Sequence, residues 1–234
     1  MSESIKPREL RRQPIVAIDG PTGAGKSTVA RELARELGFT YLNTGAMYRA
    51  VALAAGRAGI DPDAPNAEAR MQALLDSIRL ELDQDRVLLN GADVAAQLSD
   101  PVVSDRASRF SAIAIVRERM RELQQTAGGK GGIVMEGRDI GTVIFPDAEF
   151  KFFLSADLRT RARRRYKELI QKGVSTTFDE VYAQLEARDR RDQERALAPL
   201  RAADDAVVID STNDSVAEVV ARLKRRVCAG CDAE

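Results

Sequence analysis

The sequence predicts an α/β fold built on a parallel sheet, and two patterns along the chain lead to that prediction. Short apolar runs alternate with longer amphipathic stretches, as they do when each strand is followed by a helix that crosses back over the sheet. The first apolar run leads through a glycine-rich turn directly into a helical stretch. A chain of 234 residues is long enough for one large domain, or for a core with a modest insert.

Five apolar runs are predicted to form the sheet, with six helices between and after them. The predicted strands are Ile15–Ile18, Phe39–Leu42, Ile133–Glu136, Glu149–Leu154 and Ala206–Ile209. The predicted helices are Lys26–Leu37, Ala46–Ala58, Val102–Ala127, Leu158–Lys172, Phe178–Glu194 and Ser215–Val227. The glycines within 128–132 end the third helix and turn the chain into the third strand.

One segment departs from this alternation. Residues 78–82 and 86–91, joined by three polar residues, have the pattern of a β-hairpin. Because a hairpin is antiparallel, we predict that residues 61–100 form a subdomain inserted into the parallel fold. The main domain then spans 14–227, between a polar N-terminal tail (1–13) and a C-terminal tail (228–234).

The composition excludes several classes of function. The chain has no histidine, so no catalytic proposal can use imidazole. Lys+Arg and Asp+Glu both total 36, so no net field draws the protein to nucleic acid or to an anionic membrane. No apolar run approaches membrane-spanning length and the first residues do not resemble a signal peptide, so we expect a cytoplasmic protein. A lone C-x-x-C, Cys228 and Cys231, is interpreted as a pair of reduced thiols.

The glycine-rich turn is a phosphate-binding loop of the form G-x-x-x-x-G-K-[ST], between a predicted strand and a predicted helix. Its glycines let several backbone N–H groups point at one anion, and the helix N-terminus adds partial positive charge. Lys26 can reach the β- and γ-phosphates of a nucleoside triphosphate, and the Ser27 hydroxyl can bind Mg²⁺. The predicted ATP-binding residues are Gly20, Pro21, Thr22, Gly23, Ala24, Gly25, Lys26, Ser27 and Thr28.

The motifs of two other classes with this loop are missing. A GTPase reads guanine with Asn-Lys-x-Asp and senses the γ-phosphate with Asp-x-x-Gly, and neither spacing occurs. The Leu-Ser-Gly-Gly-Gln signature of transporter ATPases is also absent. A kinase of a small acceptor is therefore the leading class.

Four further blocks, with the inserted hairpin, resemble the bacterial cytidylate kinases, which are nucleoside-monophosphate kinases. The blocks are Asn43–Arg49, Glu136–Ala148, Arg188–Asp192, and Arg195 leading to Ala198-Pro199-Leu200. The resemblance covers about residues 14–227. It implies a phosphate-loop kinase with a five-stranded parallel sheet, a small antiparallel β subdomain and a helical lid.

The resemblance implies an acceptor site for CMP or dCMP. Its residues would be Thr44, Tyr48, Arg49, Ser108, Arg117, Arg138, Asp139, Arg188, Asp192 and Arg195. By the resemblance, Asp139, Ser108 and Arg117 contact the base. Arg188 and Asp192 contact the ribose, and Arg195 contacts phosphate. Guanidinium groups suit a phosphate acceptor because their planar donors bind its oxygens bidentately.

Spacing adds separate arguments, each with an ordinary alternative. Arg49 lies about one turn past Thr44, and Arg138 follows the third strand at the ligand-binding edge of the sheet. Positions 188, 192 and 195 share one face of a continuous helix. The alternative is solvated surface charge. Ser108 and Arg117 are nine residues apart on one predicted helix, which is far for one small base.

Residues 159–173 include a basic helical stretch and are expected to form a lid. Its arginines would supply cations to the transferred phosphoryl group. Arg161 and Arg165 are the favoured pair, with Arg164 beside them, and a plain basic helix face is the alternative. The predicted catalytic residues are Lys26, Arg138, Arg161, Arg165 and Arg195. Glu136 is the candidate partner of a Mg²⁺-bound water.

The predicted reaction is in-line transfer of the γ-phosphoryl group of Mg-ATP to the 5′-phosphate of CMP or dCMP, in pyrimidine nucleotide metabolism. No general base is needed, because the acceptor phosphate is already a nucleophile. We expect a monomer that binds small nucleotides. The alternatives are another acceptor, such as UMP or an alcohol, and a regulatory module that hydrolyses ATP slowly.

Overall fold

The computed structural model describes residues 13–83 and 86–231. The strands are β1 (Ile15–Asp19), β2 (Thr40–Asn43), β3 (Leu80–Asp83), β4 (Arg86–Leu89), β5 (Ala92–Asp93), β6 (Ile133–Gly137), β7 (Phe150–Ser155) and β8 (Val207–Asp210). The helices are α1 (Lys26–Leu37), α2 (Thr44–Arg57), α3 (Ala67–Ser77), α4 (Pro101–Phe110), α5 (Ala114–Gly128), α6 (Leu158–Gln171), α7 (Phe178–Glu194) and α8 (Val216–Cys231). The predicted N-terminal tail, apart from Gln13, and the middle of the predicted hairpin turn lie outside the described residues.

The main sheet has five parallel strands in the order β2-β6-β1-β7-β8, which confirms the predicted fold class. Every residue of the central strand β1 is buried, because helices cover both faces of the sheet. Ile15 and Ala17 pack on the side of α2, α4 and α5. Val16 and Ile18 alternate with them and pack on the side of α1 and α8. From β1 the chain continues first to one side of the sheet and later to the other, which creates a ligand crevice at the carboxyl ends of the strands.

The inserted segment contains an antiparallel sheet in the order β3-β4-β5, so the predicted hairpin is confirmed. Helix α3 and the short third strand were not expected from the sequence. Small residues on one side of α2, among them Ala46 and Ala50, let Val87 and Leu89 of the insert pack closely against that helix. The insert therefore supports α2, which forms one wall of the cleft described below. The boundaries 61 and 100 stay a prediction.

The single helix predicted over Val102–Ala127 is wrong, because the chain breaks into α4 and α5 at residues 111–113. The Ser111 hydroxyl donates to the Ser108 carbonyl at 2.7 Å, a local bond that competes with continued helix. The Ser111 carbonyl accepts from Arg117 Nη1 at 3.2 Å. The break turns the chain, so that the helical separation computed for Ser108 and Arg117 no longer applies.

The predicted end of α7 is confirmed, whereas the end of α8 and the helical placement of Arg195 differ from the prediction. Helix α7 ends at Glu194, and Arg195 has extended backbone angles (φ −59°, ψ 138°), so Arg195 does not continue the face of residues 188 and 192. Helix α8 extends to Cys231, beyond the predicted start of the tail at 228. Cys228 is a free thiol on that helix, while the side chain of Cys231 lies outside the described residues. Among the described helices none is both long and apolar enough to cross a bilayer.

Candidate active site

A cleft of about 980 Å³ lies at the carboxyl edge of the main sheet and runs from the phosphate loop to α4 and α7. Among the described residues its lining has ten basic and five acidic side chains, although the whole chain has 36 of each sign. The positive charge is therefore concentrated in this cleft. A concave site with an excess of one sign of charge strengthens the attraction for ligands of the opposite sign, here polyanions.

The phosphate loop has the geometry that its glycines predict. Gly20, Gly23 and Gly25 all have positive φ. A Cβ on Gly20 would lie 2.0 Å from the Leu154 carbonyl oxygen, so only glycine lets this loop pass β7. Helix α1 begins with no side chain capping its first N–H groups. These donors are left for a ligand, at the positive end of the helix dipole.

Lys26 is the first residue of α1 and is 5% exposed. Its Nζ donates to the Pro21 carbonyl at 2.8 Å, which holds the ammonium group inside the loop. Burial, and next the Arg138 guanidinium, hold the pKa of Lys26 well below its usual value. A phosphate bound in the loop would stabilise the charged form of Lys26.

A carboxylate and two hydroxyls meet beside the start of α1. Glu136 ends β6 and is 4% exposed. The Tyr41 hydroxyl on β2 donates to Glu136 Oε1 at 2.7 Å, and it also interacts with the Ser27 side chain. Burial, then the charge of Glu136, raise the pKa of Tyr41. The oxygen donors fit Mg²⁺, with Ser27 able to bind the ion and Glu136 able to bind its water.

Asp19, at the end of β1, holds the segment that carries Asp139. Its two carboxylate oxygens accept from the backbone N–H groups of Ile140 and Gly141 at 2.9 and 2.8 Å. Burial is the main cause that raises the pKa of Asp19 to about 6, and it outweighs the two backbone hydrogen bonds, which lower this pKa. No sequence pattern distinguishes Asp19 from the other residues that precede the phosphate loop.

Asp192 of α7 is the centre of one ionic cluster in the cleft. Its carboxylate accepts from Arg138 Nε at 3.1 Å and from the Ser108 hydroxyl at 3.2 Å. Arg188 Nε is 3.9 Å away. Burial opposes ionisation of Asp192, but the arginines outweigh it and hold the pKa of Asp192 below its usual value. Ser108, expected at the base, therefore lies against the predicted ribose site in this structure.

Asp139 is the centre of a second cluster. It forms a buried ion pair with Arg117 of α5, and Arg195 Nη2 lies 3.7 Å from its other oxygen. Although Arg195 has left the helix, its Nε donates to the Ala198 carbonyl at 2.6 Å, which keeps the side chain in the cleft. Tyr48 of α2 lies near this pair; burial is the main cause that raises its pKa to about 12.

Arg138 connects the phosphate loop to the Asp192 cluster. Its Nη2 donates to the Thr22 hydroxyl at 2.6 Å, while its Nε contacts Asp192. Helix α2 supplies Arg49 near Glu136 and Arg138, and burial is the main cause that lowers its pKa. The Thr44 hydroxyl donates to the Glu136 carbonyl at 2.7 Å, so it fixes the start of α2 against β6.

The basic helix α6 separates its arginines into different environments. Arg164 and Arg165 line the cleft; Arg164 donates to the Ser211 carbonyl at 2.6 Å and Arg165 pairs with Glu168 at 2.8 Å. Arg161, which we expected beside Arg165, is instead buried and donates to the Thr22 carbonyl at 3.1 Å. It also pairs with Asp189 at 2.7 Å. These two contacts favour a role for Arg161 in positioning the phosphate loop.

Sequence reasoning missed several polar residues of the cleft. They include Ser104, Ser111, Glu168, Lys172, Ser211 and Asp214. Ser211 has a clear role, since its hydroxyl donates to the Ala24 carbonyl of the phosphate loop at 3.1 Å. Serines outside a motif carry little signal in one sequence, and only the packing of distant elements brings these to the cleft.

Comparison with known proteins gives one consistent result. Residues 16–228 match the family model described as cytidylate kinase. The cytidylate kinase of Syntrophotalea carbinolica is 48% identical over 218 residues, which cover 92% of this chain and 92% of that protein. The enzyme of Geobacter sulfurreducens gives the same figures. That of Mycobacterium leprae is 47% identical over 210 residues, or 89% of this chain and 93% of that protein.

Proposed function

The chain belongs to the cytidylate kinase family, and on that premise we propose that it transfers the γ-phosphoryl group of ATP to CMP or dCMP. One observation carries the proposal. Arg138 contacts both Thr22 of the phosphate loop and Asp192 at the centre of the first ionic cluster, so a single guanidinium lies between two candidate anion-binding regions. A phosphoryl donor and a phosphorylated acceptor bound in these regions would meet at Arg138.

In the proposed reaction an oxygen of the acceptor phosphate attacks the γ-phosphorus of ATP, and the bond to the β-phosphate oxygen breaks. The products are ADP and CDP or dCDP. The loop N–H groups and Lys26 bind the donor phosphates, while Arg138 and Arg195 orient the acceptor phosphate. Ser27 would hold Mg²⁺ and Glu136 would bind its water, and the ion would neutralise charge on the donor phosphates.

The base and sugar have matching partners in the two ionic clusters. Cytosine presents an amine donor beside ring acceptors, and the Asp139–Arg117 pair offers a carboxylate to accept and a guanidinium to donate. We propose that Asp192 and Arg188 bind the sugar, with Ser108 holding Asp192. Tyr48, Thr44 and Arg49 complete the wall on α2.

On the donor side we propose that Arg164 and Arg165 of α6 contact the transferred group or the ATP phosphates. Both line the cleft. Arg161 acts less directly, since its contacts hold the Thr22 carbonyl and Asp189. The monomeric state and the cytoplasmic location stay predictions of the sequence.

The proposal is tested by measuring ADP release in a coupled assay with CMP, dCMP, UMP, AMP and shikimate as separate acceptors. We expect rapid turnover with CMP and dCMP and much slower turnover with the others. Reactions without an acceptor give the background rate of ATP hydrolysis. ADP release independent of any acceptor would replace the kinase with a slow ATP-hydrolysing module, and preference for shikimate or AMP would contradict the base-reading site.

A further inference from the structure

Arg188 has an incomplete set of partners although it is a cation in a mostly buried position. Its side chain is 18% exposed and lines the cleft. Burial, and next the Arg138 charge, lower the pKa of Arg188 to about 10, so the group stays charged at neutral pH. Among the described residues its Nε is buried without a hydrogen-bond partner. Such an unmade bond costs free energy that a ligand oxygen can recover.

Within the described part of the chain, the guanidinium of Arg188 makes one hydrogen bond, to a serine hydroxyl. Arg188 Nη1 donates to Ser104 Oγ on α4 at 2.9 Å. Ser104 is half-buried and also lines the cleft. The hydroxyl fixes one end of the guanidinium against α4, so the direction of its remaining N–H groups depends on Ser104.

The contact belongs to a regular pair of contacts between α4 and α7. Ser104 and Ser108 are one turn apart on α4, and Arg188 and Asp192 are one turn apart on α7. Ser104 bonds the arginine, while Ser108 bonds Asp192 at 3.2 Å. Two serines on one helix therefore hold the cation and the anion that face the proposed sugar site.

We propose that Ser104 is a positioning residue that sets the preference of the acceptor site between ribose and 2′-deoxyribose. It holds Arg188 so that an unpaired N–H meets the 2′-hydroxyl oxygen of the acceptor. A 2′-deoxy sugar leaves that buried donor unpaired, and a site built to bond a hydroxyl discriminates against the analogue that lacks it. This inference rests on the proposed function and extends it to the choice of sugar.

The decisive variant is Ser104→Ala, which removes the hydroxyl and leaves every arginine in place. We expect KM for CMP to rise about fivefold, the value of roughly one hydrogen bond. KM for dCMP should change less than twofold, because dCMP has no 2′-hydroxyl to lose. The kcat with either acceptor and KM for ATP should stay within twofold, so that the ratio of kcat/KM for CMP over dCMP falls.

Two other variants separate positioning from simple packing. Ser104→Thr keeps the hydroxyl and should restore the wild-type ratio. Ser77→Ala is a matched control, because it removes an exposed helical serine hydroxyl that bonds the Leu74 carbonyl on α3. It should leave all constants unchanged. If Ser104→Ala does not fold, Ser104→Cys has nearly the same volume and a weak acceptor, and it is subjected to the same ratio test.

The results distinguish failure of this inference from failure of the proposed function. If wild-type protein phosphorylates neither CMP nor dCMP, the function itself is wrong. If the wild type is active but loss of the hydroxyl raises both KM values equally, Ser104 only packs α4 against α7, and the inference is overturned. An unchanged CMP to dCMP ratio overturns it as well.

Discussion

At the scale of single residues, the cations of the cleft differ in what holds them before any nucleotide binds. Lys26 contacts a loop carbonyl, Arg138 is shared by Thr22 and Asp192, and Arg117 is paired with Asp139. Each has its position fixed by neutral or acidic partners from another element. Such preorganisation matters, because fixed charges stabilise developing charge without reorganising during the reaction.

Lys26→Ala should lower kcat by about 100-fold or more, because the ammonium group acts mainly on charge that develops in the transition state. The fold should survive, because burial already disfavours the charged form of the Lys26 side chain, and the variant removes that side chain. The measurement is steady-state turnover with CMP, beside the thermal unfolding midpoint. Lys130→Ala, at an exposed site, is the control. A normal turnover number in the Lys26 variant would remove the phosphate-loop assignment.

At the scale of elements, the ends of strands and helices place the site more than their middles do. The turn over Ile140–Ile144 carries the chain away from β6 just after Asp139, and Asp19 of β1 binds its first two N–H groups. The break between α4 and α5 directs Arg117 back toward Asp139. A continuous helix over these residues would separate Ser108 from Arg117 by more than two turns.

Asp19 provides a pH test of this anchor. Its native pKa of about 6 lies above the usual aspartate pKa of 3.8, so the native state binds more protons than the unfolded state between these values. The stability contributed by Asp19 is therefore complete below about pH 4 and is lost as pH rises through 6, by roughly 3 kcal/mol.

We expect the wild type to lose about that much unfolding free energy relative to Asp19→Asn between pH 4 and pH 7. Denaturant titrations of both proteins at each pH measure the difference, and the other titrating groups cancel because both proteins share them. A difference that stays constant across this range would show that Asp19 titrates normally.

At the scale of the whole molecule, α6 and α7 form a unit beside the main sheet. Their contact has an apolar cluster of its own, Ala162, Leu169, Val181 and Leu185. The first turns of α6 are attached to the rest of the fold through Arg161 on Thr22 and Arg164 on Ser211. The second half of α6, with Arg165 and Glu168, and Lys172 directly after it border the open cleft.

If α6 forms the lid, amide hydrogen exchange over residues 165–173 should slow most when donor and acceptor nucleotides are both bound. The complex used must be one that does not turn over. Residues 158–164 should change little, since Arg161 and Arg164 already contact Thr22 and Ser211. Hydrogen exchange measured with no nucleotide, each alone and both together tests this. Equal exchange in the free and doubly bound protein would leave α6 as a basic surface helix.

The phosphate loop, the five parallel strands and the hairpin of the insert could all be predicted from the sequence. These features are local: glycine spacing, apolar periodicity and turn residues act over a few neighbouring positions, so one sequence shows them. The arginines and acids predicted for the acceptor site were named through short blocks and a family resemblance, and all of them line the same cleft.

Which of these residues come into contact depends on how the whole chain folds. Arg138 contacts Thr22 across 116 residues of chain, and Asp19 contacts Ile140 across 121. Ser104 reaches Arg188 across 84. Such contacts depend on the order of the strands and on where α4 breaks from α5, and both are set by burial summed over the whole core. No local pattern records that sum, so Ser104, Asp19 and the buried position of Arg161 came from the fold.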